Sequence, residues 1–410
     1  MDADRPYDLV LFGATGFTGA LTAAYLAANA PDGCRWALAG RNRAKLEALR
    51  TRLAALNPRC ADLPLLAADA ADPASLRAVA ASARVVISTV GPYLRYGEPL
   101  VAACADTGTD YVDLTGEPEF VDLMYLRHHR RAVQTGARLV HSCGFDSVPH
   151  DLGVLFTLER MRAIDVLPEG AAVSVRGFVR AGGTISGGTF ASALSAMSRL
   201  GAAGRAARER RAAEPRTAGR RIRTTAGPVR RSAEARAWAV PLPTIDAQVV
   251  ARSAAARPDY GPAFSYGHYA AVRRLPVLLA GAAGLAALLV AAQVPPLRRA
   301  LTGLRRSGDG PSAEQRAASW FTVRFVGDTG PGTRVFTEVS GGDPGYSETA
   351  KMLAESALSL AYDDLPPTAG QVTPAAAMGT ALIDRLTAAG MRFTVLDGPP
   401  ATAPGRGEGF

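Results

Sequence analysis

Residues 9–12 form an apolar run, entered from Tyr7-Asp8 and ended at once by Gly13-Ala14-Thr15-Gly16-Phe17-Thr18-Gly19. Such a run reads as a buried parallel strand, and the helix formers at 20–28 read as the helix that follows it. The rhythm then repeats. Residues 36–39 predict a second strand, closed by Gly40-Arg41-Asn42-Arg43, with a helix over 44–56. Residues 63–68 predict a third strand ending at Asp69, and the β-branched stretch 85–90 a fourth, ending at Gly91-Pro92-Tyr93. Strands alternating with helices in this way make an α/β fold built on a doubly wound parallel sheet.

The pattern changes farther along. Residues 321–326 and 334–339 alternate apolar and polar side chains around a glycine-rich gap, which predicts a hairpin with one covered face. Residues 346–360 and 375–389 carry the period of amphipathic helices. The Pro-, Gly- and Thr-rich end, 398–410, is expected to be a disordered tail. Residues 275–294 hold no charge, with Arg273-Arg274 before them and Arg298-Arg299 beyond. About twenty apolar residues can cross a bilayer. A helix associated with a membrane surface is expected first, a buried helix of the second domain next. A span comes last, because it would put parts of one fold on opposite sides of the membrane.

The glycine turn carries chemistry as well as shape. Gly13 permits a sharp turn, Gly16 a close approach of backbone to a pyrophosphate, and Gly19 tight packing of helix on strand. The phosphates then meet free N–H groups at the helix start. A glycine trio alone also makes an ordinary turn; the repeated strand and helix units around it are what point to a dinucleotide. Gly13, Ala14, Thr15, Gly16, Phe17 and Thr18 are therefore expected to touch the cofactor, with Val90, Gly91 and Pro92 facing them. An NAD site usually carries an acidic residue about twenty positions after the glycine turn. Here Gly40 and Arg41 stand in that place, and Arg41 suits a 2′-phosphate, with Arg43 to assist. NADP is accordingly expected over NAD. Asp69 is read either as an adenine neighbour or as a cap for the helix that follows.

Several stretches, in order, resemble the saccharopine dehydrogenase-like oxidoreductases, and within them the trans-acting enoyl reductases. They are Phe12-Gly13-Ala14-Thr15-Gly16-Phe17-Thr18-Gly19; Ala39-Gly40-Arg41; Val90-Gly91-Pro92-Tyr93 with Tyr96-Gly97; and Tyr111-Val112-Asp113-Leu114-Thr115-Gly116-Glu117. Then come Cys143-Gly144-Phe145-Asp146-Ser147-Val148-Pro149, Asp343-Pro344-Gly345-Tyr346 with Thr349-Ala350, and Thr373-Pro374-Ala375. The resemblance implies a Rossmann domain (1–150), an inserted α+β domain for substrate and dimerisation (151–345), and C-terminal helices returning to the first domain (346–397). It also implies NADPH as reductant. The expected reaction is reduction of an enoyl double bond on a polyketide or fatty acyl chain carried by a synthase, in lipid or glycolipid synthesis.

Charge and cysteine usage narrow the partners. The formal net charge of +9 comes almost wholly from arginine, since Lys45 and Lys351 are the only lysines. No nucleic-acid recognition motif accompanies that charge. Between Arg199 and Arg236 arginines recur densely. They read as a solvated face, or as a dock for an acidic carrier domain or anionic lipid. The cysteines, Cys34, Cys60, Cys104 and Cys143, lack CxxC spacing, so no metal site is expected and free thiols in a reducing compartment are. The N-terminus enters a strand without an apolar leader, which fits a cytoplasmic protein, peripheral at the membrane if 275–294 attaches there. A second glycine-rich stretch, 182–189, is read as a turn or as part of a substrate channel.

Hydride transfer needs a donor for the enolate that forms and a proton for the α-carbon. Tyr93 and His150 are the expected donors, with Asp146 as a third catalytic candidate or as a residue that orients its loop. The Tyr and Lys pair four residues apart that short-chain dehydrogenases use is absent. Two other readings stay open. One is a saccharopine-type amino-acid dehydrogenase, in which arginines would converge on the pocket. The other is a membrane-associated NADP-binding protein without turnover.

Overall fold

Apolar runs buried on both faces build the first sheet. In the computed structural model, residues 5–168, 170–183, 197–215, 219–294, 296–297, 310–330 and 334–405 are described. Strands β1 (Tyr7–Phe12), β2 (Trp36–Gly40), β3 (Leu65–Ala67), β4 (Ala83–Ser88), β5 (Asp110–Asp113) and β6 (Arg138–Val140) lie parallel in the order β3-β2-β1-β4-β5-β6. Leu9, Val10, Leu11, Val85, Val86 and Ile87 are wholly buried in its centre. Helices α1 (Phe17–Asn29), α2 (Arg43–Leu56), α3 (Pro73–Ser82), α4 (Glu98–Thr107) and α5 (Pro118–Thr135) make the connections. The order reverses at β1, so the carboxyl ends of β1 and β4 part and leave a crevice.

A long helix, α6 (Val148–Ala163), leads out of this sheet into a second, mixed one. That sheet contains β7 (Ala172–Gly182), β8 (Arg221–Thr225), β9 (Arg230–Ser232), β10 (Ala237–Pro241), β11 (Ala263–Val272), β12 (Trp320–Asp328) and β13 (Arg334–Gly341). Helices α7 (Leu200–Ala213), α8 (Ile245–Ala256) and α9 (Leu275–Gln293) interrupt it. The hairpin expected from alternation is β12 with β13, antiparallel, Phe325 opposite Thr337. Helix α6 is buried nearly all round because it lies between this sheet and C-terminal elements. Gly153 makes the close approach: a Cβ there would stand 2.3 Å from the Phe325 ring.

The chain then returns. Helix α10 (Ser347–Tyr362) packs beside α1, and β14 (Gly370–Val372) extends the first sheet beyond β6. The helix expected over 375–389 is broken at Met378, where Gly379 takes a positive φ of 55°; the longer piece is α11 (Gly379–Ala388). Two further expectations need correction. The last strand, β15 (Arg392–Leu396), pairs with β13, so the C-terminal segment serves both domains and not the first alone. Nor are residues 398–405 a disordered tail. Arg324 donates to the Thr402 carbonyl at 2.7 Å, Arg180 to that of Pro404 at 2.8 Å, and the Thr322 hydroxyl to that of Gly405 at 2.6 Å. Residues 406–410 and 184–196, with most of the second glycine-rich stretch, lie outside the described residues. The four cysteines are free thiols.

Part of the arginine-rich stretch is engaged inward. Arg199 pairs with Glu119 at 2.6 Å, and Arg210 pairs with Asp122 and Glu214 beneath the Tyr125 ring. Arg205, Arg208 and Arg211 stay exposed on α7. Replacing the fully buried Phe325 by Ala leaves a cavity between α6 and the second sheet. This change is expected to lower unfolding stability by about 3–5 kcal/mol, read from the urea midpoint at unchanged slope.

Candidate active site

Glycine geometry fixes the crevice. Gly13 has φ +86°, and a Cβ on it would stand 2.6 Å from Val90 Cγ2 and 2.7 Å from Thr89 Oγ1. A Cβ on Gly19 would fall 2.2 Å from the Gly13 carbonyl oxygen, so only glycine lets α1 sit this close to β1. Thr89 locks the two loops together, its hydroxyl donating to the Gly13 carbonyl at 3.1 Å. Gly16, exposed, is the N-cap of α1 and offers no side-chain cap. The first N–H groups of a 13-residue helix therefore face the crevice mouth with the positive end of its dipole. That is a cradle for a pyrophosphate, and the residues present fit one.

The residues expected to touch the cofactor stand on or beside the loops after β1, β2, β3 and β4. Ala14 is buried under the turn, while Thr15 is exposed and Thr18 half-buried at its rim. The Phe17 ring is occupied: it meets Tyr346 edge-on at 5.1 Å with Arg316 above it, which leaves its backbone N–H for a ligand. Arg41 follows Gly40 at the carboxyl end of β2, exposed and with no ion pair among the described residues. Asn42 caps α2 beside it, accepting from the Lys45 N–H. Val90 and Pro92 are half-buried and Gly91 is exposed across the crevice from Gly13, with a cis bond between Gly91 and Pro92. Asp69 accepts from the Ala71 N–H at 3.0 Å, whereas Asp72 caps α3, so Asp69 shapes its own turn.

The loops after β4, β5 and β6 make the floor. Asp113 is fully buried, and its carboxylate takes four partners. Oδ1 accepts from the Thr115 and Ser142 N–H groups at 3.0 Å each; Oδ2 meets the Tyr111 hydroxyl at 3.0 Å and His141 Nδ1 at 2.7 Å. Glu117 holds the neighbouring turn by accepting from the Tyr93 and Leu94 N–H groups. From the returning segment, Thr349 accepts from the Phe145 N–H at 3.1 Å and donates to the Pro344 carbonyl.

The three catalytic candidates separate here. Tyr93 is buried, and its hydroxyl donates to the Ser88 carbonyl at 2.9 Å. Burial raises its pKa well above the usual phenol value. The hydroxyl is thus held by the protein and not presented to the crevice. His150 is also buried, beneath the floor, with the Phe145 ring 5.6 Å away. Asp146 alone reaches water: its side chain is solvent-exposed yet ringed by protein, over Gly116. The protein packed around it, with Asp246 nearby, pushes its pKa up to about 6 although part of the residue still meets water.

Behind Asp146 lies a cluster that the sequence pattern did not announce. His150 Nδ1 stands 2.8 Å from Asp246 Oδ1, at the start of α8, and Asp246 Oδ2 stands 3.7 Å from Nε2 of His268 on β11. The Tyr266 hydroxyl meets His268 Nδ1 at 3.1 Å. Burial works against ionisation of Asp246, but the two imidazoles outweigh it and hold its pKa below the ordinary carboxylate value. Burial pulls the His268 pKa down to about 4 against the opposing pull of Asp246. The three side chains present ligand atoms within 4.8 Å of one another. Two ligands 2.0–2.1 Å from a tetrahedral zinc stand about 3.3 Å apart. The 2.8 Å contact is closer than that and suits an imidazole–carboxylate pair.

Comparison with known proteins agrees with this geometry. A family model of the saccharopine dehydrogenase NADP-binding domain matches residues 9–140. A Mycobacterium tuberculosis protein named as a trans-acting enoyl reductase is 40% identical, over 94% of this chain and 97% of its own. The trans-acting enoyl reductase of Mycobacterium leprae is 37% identical, over 94% and 97%. Among solved structures, the apo saccharopine dehydrogenase (L-Glu forming) of Saccharomyces cerevisiae aligns with a TM-score of 0.54 at 14% identity, covering 95% of this chain and 99% of that one. That last likeness concerns the fold.

Arg41→Ala should weaken NADPH binding by about 10–100-fold and leave NADH binding unchanged, since one charge-assisted contact to the 2′-phosphate is lost. Titration of protein-bound nicotinamide fluorescence measures both.

Proposed function

The chain belongs to the trans-acting enoyl reductases, a branch of the saccharopine dehydrogenase-like oxidoreductases, and from that premise we propose that it saturates the carbon–carbon double bond of an acyl thioester. It is an NADPH-dependent oxidoreductase. In our reading the acyl chain arrives on a carrier domain of a polyketide or fatty acid synthase, for complex lipid synthesis at the cytoplasmic face of a membrane. One observation carries this: the phosphate cradle and Asp146, exposed on the loop after β6, both stand at the carboxyl edge of the first sheet.

NADPH, when bound, supplies a hydride to the β-carbon. The chain's residues do the rest. The α1 N-terminus and Arg41 fix the two phosphate groups, and the Val90-Gly91-Pro92 loop borders the ring. Asp146, in its acid form, gives a proton to the α-carbon, so the double bond gains one hydride and one proton. Phe145, half-buried next to Asp146 and backed by the buried Phe321 ring at 5.0 Å, supplies apolar surface beside the acid. Bulk water reprotonates Asp146 after release. The exposed Arg205, Arg208 and Arg211 stripe suits an acidic carrier domain.

A saccharopine-type substrate with several carboxylates is less well served. Among the described residues, Asp246 forms its ion pairs with His150 and His268, and no arginine shares them.

NADPH oxidation should accelerate with an enoyl thioester and stay at background with saccharopine-type substrates. Oxidation with neither would leave only a cofactor-binding role. Asp146→Asn should cut kcat by about 10²–10⁴-fold with NADPH affinity intact. Because the neutral acid is the donor, wild-type kcat should fall as pH rises through about 6, and the variant should lose that limb.

A further inference from the structure

Helix α9, Leu275–Gln293, is apolar in all of its 19 residues but the last, Gln293, and only Ala292 is buried. The large side chains Leu275, Val277, Leu279, Leu285 and Val290 are each 44–66% exposed. At about 100° per residue Leu275, Leu279 and Val290 share one side of the axis, while Val277 and Leu285 point to two others. The helix is therefore not a core helix, which the protein would cover, and at residue 275 it is not an N-terminal leader. A second copy of the chain would cover one face and leave the other in water. Only a continuous apolar medium covers all of them.

The length suits a bilayer: 19 residues rise about 28 Å against a hydrocarbon core of about 30 Å. Topology forbids a crossing. The strand before the helix, β11, and the strand after it, β12, both pair with β7 in one sheet. Both ends of the segment must then lie on one side of the membrane. The chain beyond the helix holds Arg298, Arg299, Arg305 and Arg306, which makes a return pass through hydrocarbon costly. Arg273 and Arg274, exposed at the helix start, have no ion pair among the described residues.

We propose that α9 is an in-plane membrane anchor, sunk lengthwise into one leaflet of an anionic bilayer, with Arg273 and Arg274 on headgroup phosphates. This deepens the membrane placement proposed above but needs no turnover, so its failure and that of the reductase reading are separable. Full-length protein is floated with vesicles of phosphatidylcholine alone, and of phosphatidylcholine with phosphatidylglycerol. The wild type should float with both and more strongly with the anionic ones, an excess that salt removes. Leu279→Asp with Leu285→Asp should lower the bound fraction about a hundredfold, with NADPH affinity unchanged as the test of folding. Arg273→Ala with Arg274→Ala should lose only the anionic excess. Trypsin added outside sealed vesicles should cut at Arg298 or Arg299. Protection of those sites would mean a span and overturn the proposal. So would protein that never floats, or a dimer that the Leu285→Asp change dissociates.

Discussion

Asp113 is the point on which the floor of the crevice depends. One buried carboxylate accepts from two backbone N–H groups in separate loops and meets a phenol and an imidazole. Buried charge is costly unless its lone pairs are filled, and here four partners fill them. The return on that arrangement is positional. Residues 114–117 and 141–147 cannot drift apart without stranding the charge, so Gly116 stays under Asp146. Cys143 adds a backbone bond to the Asp113 carbonyl at 2.6 Å. Ser142 is held at φ +63° between them, its hydroxyl on the Thr115 carbonyl.

The same logic explains why motifs scattered along the chain belong together. Gly13, Gly19 and Thr89 bring α1 to the switch point by removing every atom that would keep it away. Tyr346 then covers Phe17 on that helix, while Thr349, one turn later, holds the Phe145 N–H in the loop after β6. A segment from the far end of the sequence thus touches both walls of the crevice. Asp343 makes this exact enough to work by accepting from the Gly345 and Ser347 N–H groups, which sets where α10 begins.

How much of this the sequence discloses follows from the range of the forces involved. Strands buried on both faces, such as β1 and β4, announce themselves as apolar runs, and the glycine cradle is legible because its constraint is local. Arg41 is legible for the same reason: it is placed by one strand end. Strands β5 and β6 are short, begin with Asp110 and Arg138, and carry no such signal. The direction of the Tyr93 hydroxyl depends on Ser88 and Leu114 together, and that is tertiary information. Asp146 and His150 look alike in sequence, four residues apart. One faces water and the other does not, because the first turn of α6 carries His150 under the floor. The C-terminal residues read as unstructured because Pro, Gly and Thr bury little. They are placed by their backbone carbonyls, which Arg324 and Arg180 find from the second sheet.

The inserted domain then has more than a covering role. His150 belongs to the first turn of α6, directly after the acid-bearing loop, while Asp246 and His268 come from α8 and β11. The imidazole–carboxylate contact at 2.8 Å therefore joins the floor of the crevice to the second sheet. Separating the domains would expose an ionised Asp246 to water and take from Asp146 the smaller of the two influences that raise its pKa, the larger being burial. The second domain therefore adds to the upward shift of the acid without being its main source.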